Sequence, residues 1–292
     1  MEVRSSKGRI GRERSGANIS HVTRAFVFTG GGALGAAQAG MLETLLACNV
    51  VPDVVVGTSV GALNAAFIAR APDVDGALEL QRVWRTASRD VIFPIKPRSL
   101  LLGVTGRRDH LVGAGGLQGW IERHLPYRRF EDALVPLHVV ATDLRSGDPV
   151  LLSEGDLVPA LLASTALPGI FPPVVLGGRT LVDGGVTADV PVLEAESVGA
   201  DEIWVLPCSG PERLQFLPRG ALDVLLRSIG IALGHVTQDN LAQVHPGTTV
   251  HLLPAPAVED ASILDFRHTD RLIAAGRSLA VGYLERVFTG GG

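Results

Sequence analysis

The sequence predicts an α/β layered fold built around a parallel sheet, and three observations carry that reading. Short apolar runs alternate with helix-length segments at 25–29, 36–47, 53–56 and 61–70, giving strand, helix, strand, helix. The second strand is continuous in valine (Val54, Val55, Val56), as in strands covered on both faces. The strand-to-helix turns are glycine-rich: Gly30-Gly31-Gly32-Ala33-Leu34-Gly35 in the first, Gly57-Thr58-Ser59-Val60-Gly61 in the second.

The remaining elements follow in order. Helix 36–47 places Met41, Leu42, Leu45 and Leu46 on an apolar face, and 75–87 is amphipathic through Leu78, Leu80, Val83 and Trp84. Residues 91–116 are irregular and mix leucines with arginines, and 117–124 is a short helix. A third strand at 137–141 and a fourth at 150–152 form a hairpin across Arg145-Ser146-Gly147-Asp148. Helix 157–166 ends before Pro168, and strand 180–182 runs into Asp183-Gly184-Gly185. Asp189 is placed to cap a helix at 191–198; strands at 203–206 and 249–253 and helices at 221–241 and 269–287 complete the chain. There is no fixed-period repeat and no long linker, so one domain over 24–289 is expected, preceded by a basic, disordered arm at 1–23.

Composition narrows the function classes. A chain of 292 residues, 46% of them hydrophobic, can bury a large core. A net charge of −4 gives no electrostatic reason to expect a nucleic-acid partner. Cys48 and Cys208 form no disulfide framework or Cys/His cluster and read as buried small hydrophobes; no metal-ligand cluster is visible in the sequence, and neither a metal nor a cofactor is expected. The long uncharged runs are broken by glycines or by Pro159, Pro168, Pro172 and Pro173, and the first residues lack an apolar stretch. No transmembrane helix or secretory signal is therefore expected, and the predicted location is cytoplasmic or peripheral at a membrane.

Two turns carry the chemistry. Gly30-x-Gly32-x-x-Gly35 follows a strand and opens a helix, as a dinucleotide-binding loop does. That reading needs an acidic residue at the far end of the second strand, but Asp53 precedes the strand and Gly57-Thr58-Ser59 occupies the far end. A phosphate-binding Walker loop is excluded because Ala36-Ala37 follows Gly35. Gly57-x-Ser59-x-Gly61 between a valine-rich strand and a helix fits a nucleophile elbow. The base is less obvious. His235, His245, His251 and His268 come late enough in the chain, but each reads better as an ordinary surface or core histidine. Asp183 ends a strand and is followed by two glycines that turn the chain away; alone, it is an ordinary Asp-Gly turn.

As a set, the glycine loop, the Ser59 elbow and Asp183-Gly184-Gly185 resemble the patatin-like phospholipase family, in that family's order. The block Ala163-Ser164-Thr165-Ala166-Leu167-Pro168-Gly169-Ile170-Phe171-Pro172-Pro173 is similar as well. The resemblance implies a three-layer α/β/α sandwich with a mostly parallel central sheet. It also implies a Ser59–Asp183 catalytic dyad without histidine and an oxyanion loop formed by the amides of Gly30, Gly31 and Gly32. Gly35, Gly57, Gly61, Gly184 and Gly185 complete the motifs. The implied activity is hydrolysis of phospholipid or lysophospholipid esters without a cofactor, with a lipid ester as partner and contact with a membrane surface. Two departures from the family pattern stand out: Leu34 where Arg or Lys is common, and Asp189 where Asn is common. Against this stand a carboxylesterase of the same fold on short esters, a catalytically silent lipid-binding domain and a nucleotide-binding protein. Segment 91–116 is equally a lipid-facing cap over the cleft or a plain surface excursion.

Overall fold

The computed structural model describes residues 22–94, 109–209, 221–257 and 262–289. Most of the basic arm (1–21) and the middle of the expected cap (95–108) lie outside the described residues.

The strands are β1 (Arg24–Phe28), β2 (Val54–Thr58), β3 (Leu137–Asp143), β4 (Pro149–Leu152), β5 (Val174–Leu176), β6 (Arg179–Asp183), β7 (Glu202–Leu206) and β8 (Thr249–Leu252). Among the described residues these eight strands form one sheet in the order β5-β6-β3-β2-β1-β7-β8, with β4 paired to β3. The run from β3 through β2, β1 and β7 to β8 is parallel; β4 and β6 lie antiparallel to β3, and β5 to β6. The helices are α1 (Ala36–Ala47), α2 (Val60–Arg70), α3 (Val74–Thr86), α4 (Arg89–Ile92), α5 (Gly115–His124), α6 (Leu157–Ser164), α7 (Gly185–Ala188), α8 (Val192–Ser197), α9 (Ala221–Gln243) and α10 (Thr269–Thr289).

The period of two along each strand divides the core. Phe26 and Phe28 join the larger cluster with α1 to α6 and α10, whereas Ala25 and Val27 join a second cluster with α7, α8 and Leu241 of α9. Helices on both faces of a mostly parallel sheet give the three layers that were expected. All five residues of β2 are buried, which explains its unbroken valines.

Several details differ from the sequence reading. Helix α1 is buried nearly all round, because α10 covers the side away from the sheet. Cys48 is exposed at the end of α1, although Cys208 is buried. Asp189 does not cap α8, which begins at Val192 after Pro191 with no side-chain cap. Its backbone instead continues the short α7 turn (φ −62°, ψ −37°), and this carries its side chain toward the glycine loop. Strand β5 was not foreseen, since three residues between two prolines and two glycines leave no periodic signal. Among the described residues no helix is long and apolar enough to cross a membrane.

Candidate active site

The register of β3 determines what meets what. Thr58 pairs with Val140 and Asp183 with the next residue, Ala141. Two strands far apart in sequence therefore end at the same level on opposite edges of β3, and Ser59 and Asp183 stand at those ends. The Ser59 hydroxyl donates a 2.7 Å hydrogen bond to Asp183 Oδ2.

Ser59 has φ 54° and ψ −126°, a conformation that costs a residue with a side chain on the order of 1–3 kcal/mol. Its surroundings enforce it. Helix α2 starts at the next residue and runs so close to β1 that a methyl group on Gly61 would lie 2.4 Å from the Phe28 carbonyl oxygen and 2.5 Å from that of Thr29. That close approach makes the serine turn and the glycine loop face each other. The N-terminus of α2 also points at the serine, where it favours negative charge.

A buried serine ties the two halves together. Ser164, at the end of α6, accepts the Ser59 amide on its Oγ at 2.9 Å and donates to the Val140 carbonyl at 2.6 Å. Its own carbonyl accepts the Gly184 amide at 3.2 Å. Asp183 is held from several sides. The Gly185 amide donates to its Oδ1 at 2.8 Å, and Thr142 Oγ1 donates to its carbonyl at 2.9 Å. Thr58 Oγ1 donates to the Ala188 carbonyl at 2.7 Å, which fastens the elbow to α7.

The glycine loop contributes bare amides. Gly31 and Gly32 have φ of 151° and 57°. A methyl group on Gly31 would meet Cys208 Cβ at 2.4 Å, and one on Gly32 would meet the Ile263 carbonyl oxygen at 2.3 Å. Only glycine fits either position. The Gly30 amide is already engaged by the Asp189 carbonyl at 3.3 Å. Of the three amides expected to hold an oxyanion, those of Gly31 and Gly32 are left without an acceptor among the described residues. A buried amide chain holds the loop at both ends: Gln38 Nε2 donates to the Thr29 and Leu206 carbonyls, and Asn64 Nδ2 to the Gly35 carbonyl.

Ser59, Asp183 and the three loop glycines open onto a cavity of about 690 Å³ walled by Leu63, Trp84, Phe93, Leu117, Trp120 and Phe171, among others. The dry setting changes the carboxyl chemistry. Burial pushes Asp183 up to about 7; the Ser59 hydroxyl and Gly185 amide pull against the rise, and the neighbouring Asp189 carboxyl adds to it. A carboxylate of ordinary pKa, about 3.9, is a feeble base for a hydroxyl, whereas one near neutrality is matched to general-base work.

No histidine lines the cavity among the described residues. His251 stacks on Trp204 with ring centroids 4.1 Å apart, and His268 lies 3.5 Å from Asp265. The His245 amide donates to Glu196, and the His235 side chain lies outside the described residues. No cluster of three or more metal-ligating side chains occurs among the described residues. Sequence reasoning quoted the block around Ser164 without assigning its hydroxyl a role. It also did not foresee the packing of Cys208, Ile263 and Asp189 on the glycine loop, since none of these contacts has a spacing signature.

Fold and site together define a class: a layered α/β protein with a serine on a strained strand-to-helix turn and a buried aspartate as its hydrogen-bond partner. A family model described as patatin-like phospholipase matches residues 26–196. The chain belongs to the patatin-like phospholipase family. It is 31% identical over 281 residues to an uncharacterized NTE family protein of Mycobacterium tuberculosis, covering 89% of this chain and 46% of the relative. To the lysophospholipase nte1 of Aspergillus terreus it is 26% identical over 293 residues, covering 89% of this chain and 18% of the relative. The chain thus spans less than half the length of either relative. The crystal structure of VipD from Legionella pneumophila aligns with a TM-score of 0.47 at 15% identity, covering 90% of this chain and 67% of that one.

Proposed function

We propose that this chain hydrolyses carboxylic esters of lipids, phospholipids or lysophospholipids, with Ser59 as nucleophile and Asp183 as base. The observation that carries the reading is the 2.7 Å hydrogen bond from the Ser59 hydroxyl to a buried carboxylate at the wall of a large apolar cavity. Ser59 Oγ attacks the ester carbonyl as its proton passes to Asp183 Oδ2. The negative charge on the carbonyl oxygen is taken up by the Gly31 and Gly32 amides, with the α2 N-terminus behind the nucleophile. Collapse breaks the ester C–O bond, and Asp183 returns the proton to the departing alkoxide. Asp183 then takes a proton from a water that attacks the acyl-serine, and returns that proton to Ser59 Oγ as the Oγ–acyl bond breaks and the fatty acid leaves.

The apolar walls favour a long acyl chain over a short soluble ester. The resemblance to a relative named as a lysophospholipase supports a single-chain lipid as substrate. Such substrates reside in aggregates, so the reading carries contact with a lipid surface, checked by co-flotation with phospholipid vesicles. The deciding experiment uses a long-chain fluorophosphonate probe. The reading expects covalent labelling that Ser59→Ala abolishes, and p-nitrophenyl ester hydrolysis that rises with chain length. Labelling independent of Ser59 would refute it, and a preference for acetate or butyrate would move the chain to the short-ester esterases.

A further inference from the structure

The mechanism above makes no use of Asp189, yet this side chain sits inside the site. A methyl group placed on Gly185 would lie 3.1 Å from Asp183 Oδ1 and 3.4 Å from Asp189 Oδ1. One placed on Gly30 would lie 2.5 Å from Asp189 Oδ1 and 3.4 Å from Ser59 Cβ. Ser59, Asp183 and Asp189 therefore crowd the space left by two glycines, and the cavity there is lined by no Lys, Arg or His among the described residues. The backbone imposes this closeness. The α7 turn continues helically through Asp189, Thr58 anchors the preceding carbonyl of Ala188, and the Asp189 carbonyl accepts the Gly30 amide.

Two ionised carboxylates cannot share a dry pocket cheaply, so such a pair holds one proton between them over a range of pH. Hydrogen bonds decide which carboxyl holds it. The Ser59 hydroxyl and the Gly185 amide both donate to Asp183, favouring charge there, whereas the Gly30 amide beside Asp189 is already given to the Asp189 backbone carbonyl and supports charge on that carboxyl more weakly. A charge on Asp189 would also lie beside the loop on which the oxyanion forms.

We propose that Asp189 is a proton-holding positioning residue: the working site has Asp183 ionised and Asp189 neutral, and loss of the Asp189 proton turns the site off. The proposal rests on the serine-hydrolase reading given above. The other titratable groups facing Asp189 are the Cys208 thiol behind Gly31 and, across an adjoining cavity of about 380 Å³, Tyr283 and Arg286. Burial pushes the Cys208 thiol and the Tyr283 hydroxyl upward, so both stay uncharged near neutrality. Burial pushes both carboxyls of the pair well above the usual carboxylate range, so the pair exchanges its protons close to neutral pH.

The test is the pH profile of kcat/KM for wild type and Asp189→Asn, an isosteric change that cannot ionise. Wild type should give a bell. The variant should keep the acid limb, lose the alkaline one, and exceed wild type by at least about tenfold near pH 9. An alkaline limb that survives in folded Asp189→Asn, or a folded variant inactive at every pH, overturns the proposal. If the Asn variant fails to fold, Asp189→Ser serves in its place. The shared proton is also read without activity, from thermal stability against pH: wild type loses stability between about pH 4 and 7 by an amount that Asp189→Asn reduces. Superimposable stability profiles sink the shared proton. Failure of wild type to label at Ser59 sinks the hydrolase reading instead.

Discussion

Replacing Asp183 by Asn should destroy activity and stabilise the protein, and the two effects have one cause. The carboxyl is 4% exposed, and burial raises it from the usual 3.8 to about 7. At about 1.36 kcal/mol per pH unit, the folded state carries a penalty on the order of 4 kcal/mol once the group is ionised. Its sign follows from the direction of the shift. Below about pH 4 the carboxyl is protonated in both folded and unfolded chains, and the penalty is absent. Between about pH 4 and 7 the folded chain binds the extra proton, so stability falls as pH rises, and above about 7 the full penalty applies. Asn keeps the shape, can accept from the Gly185 amide, and cannot ionise. Allowing for the altered bond to Ser59, Asp183→Asn should gain about 2–3 kcal/mol near pH 8 and little or nothing near pH 4. Thermal denaturation at the two pH values reads this as a rise of several degrees at the higher one only. Ester hydrolysis should fall by about 10²–10⁴ in the same variant. A variant destabilised equally at both pH values, or one that keeps its activity, would refute the reasoning.

Other outcomes follow from the same geometry. Ser164→Ala removes the acceptor of the Ser59 amide and the donor to the Val140 carbonyl; kcat should fall at least about tenfold with KM little changed, measured on a long-chain p-nitrophenyl ester. Gly32→Ala sets a methyl group 2.3 Å from the Ile263 carbonyl oxygen at a φ of 57°, so fluorophosphonate labelling of Ser59 should slow by about 10² or more. His268→Ala and His251→Ala should stay active within a few-fold, since neither side chain lines the cavity; a folded His268→Ala that is dead would overturn the dyad.

The legible parts of the sequence were those governed by local rules. Alternating strands and helices, the valines of β2 and the glycine turns produced the parallel half of the sheet and placed both loops at strand ends. The antiparallel part was less visible: β5 is too short to show a period, and β6 was recognised mainly because Asp183-Gly184-Gly185 ends it. The closeness of Ser59 and Asp183 follows from adjacent registrations on β3, a nonlocal fact that spacing cannot supply; the resemblance of ordered motifs supplied it instead. The engagement of the Gly30 amide by Asp189 was hidden for a related reason. Asp-x-Pro before a helix is an ordinary capping signal, and only the path of α7 shows that the side chain turns inward.

The most direct measurement of the central claim is lipid mass spectrometry after incubation with mixed phospholipids and lysophospholipids, wild type against Ser59→Ala. The account predicts free fatty acid and the matching deacylated lipid from wild type, and neither above background from the variant. Equal release by both proteins, or turnover by wild type of short soluble esters alone, would contradict it.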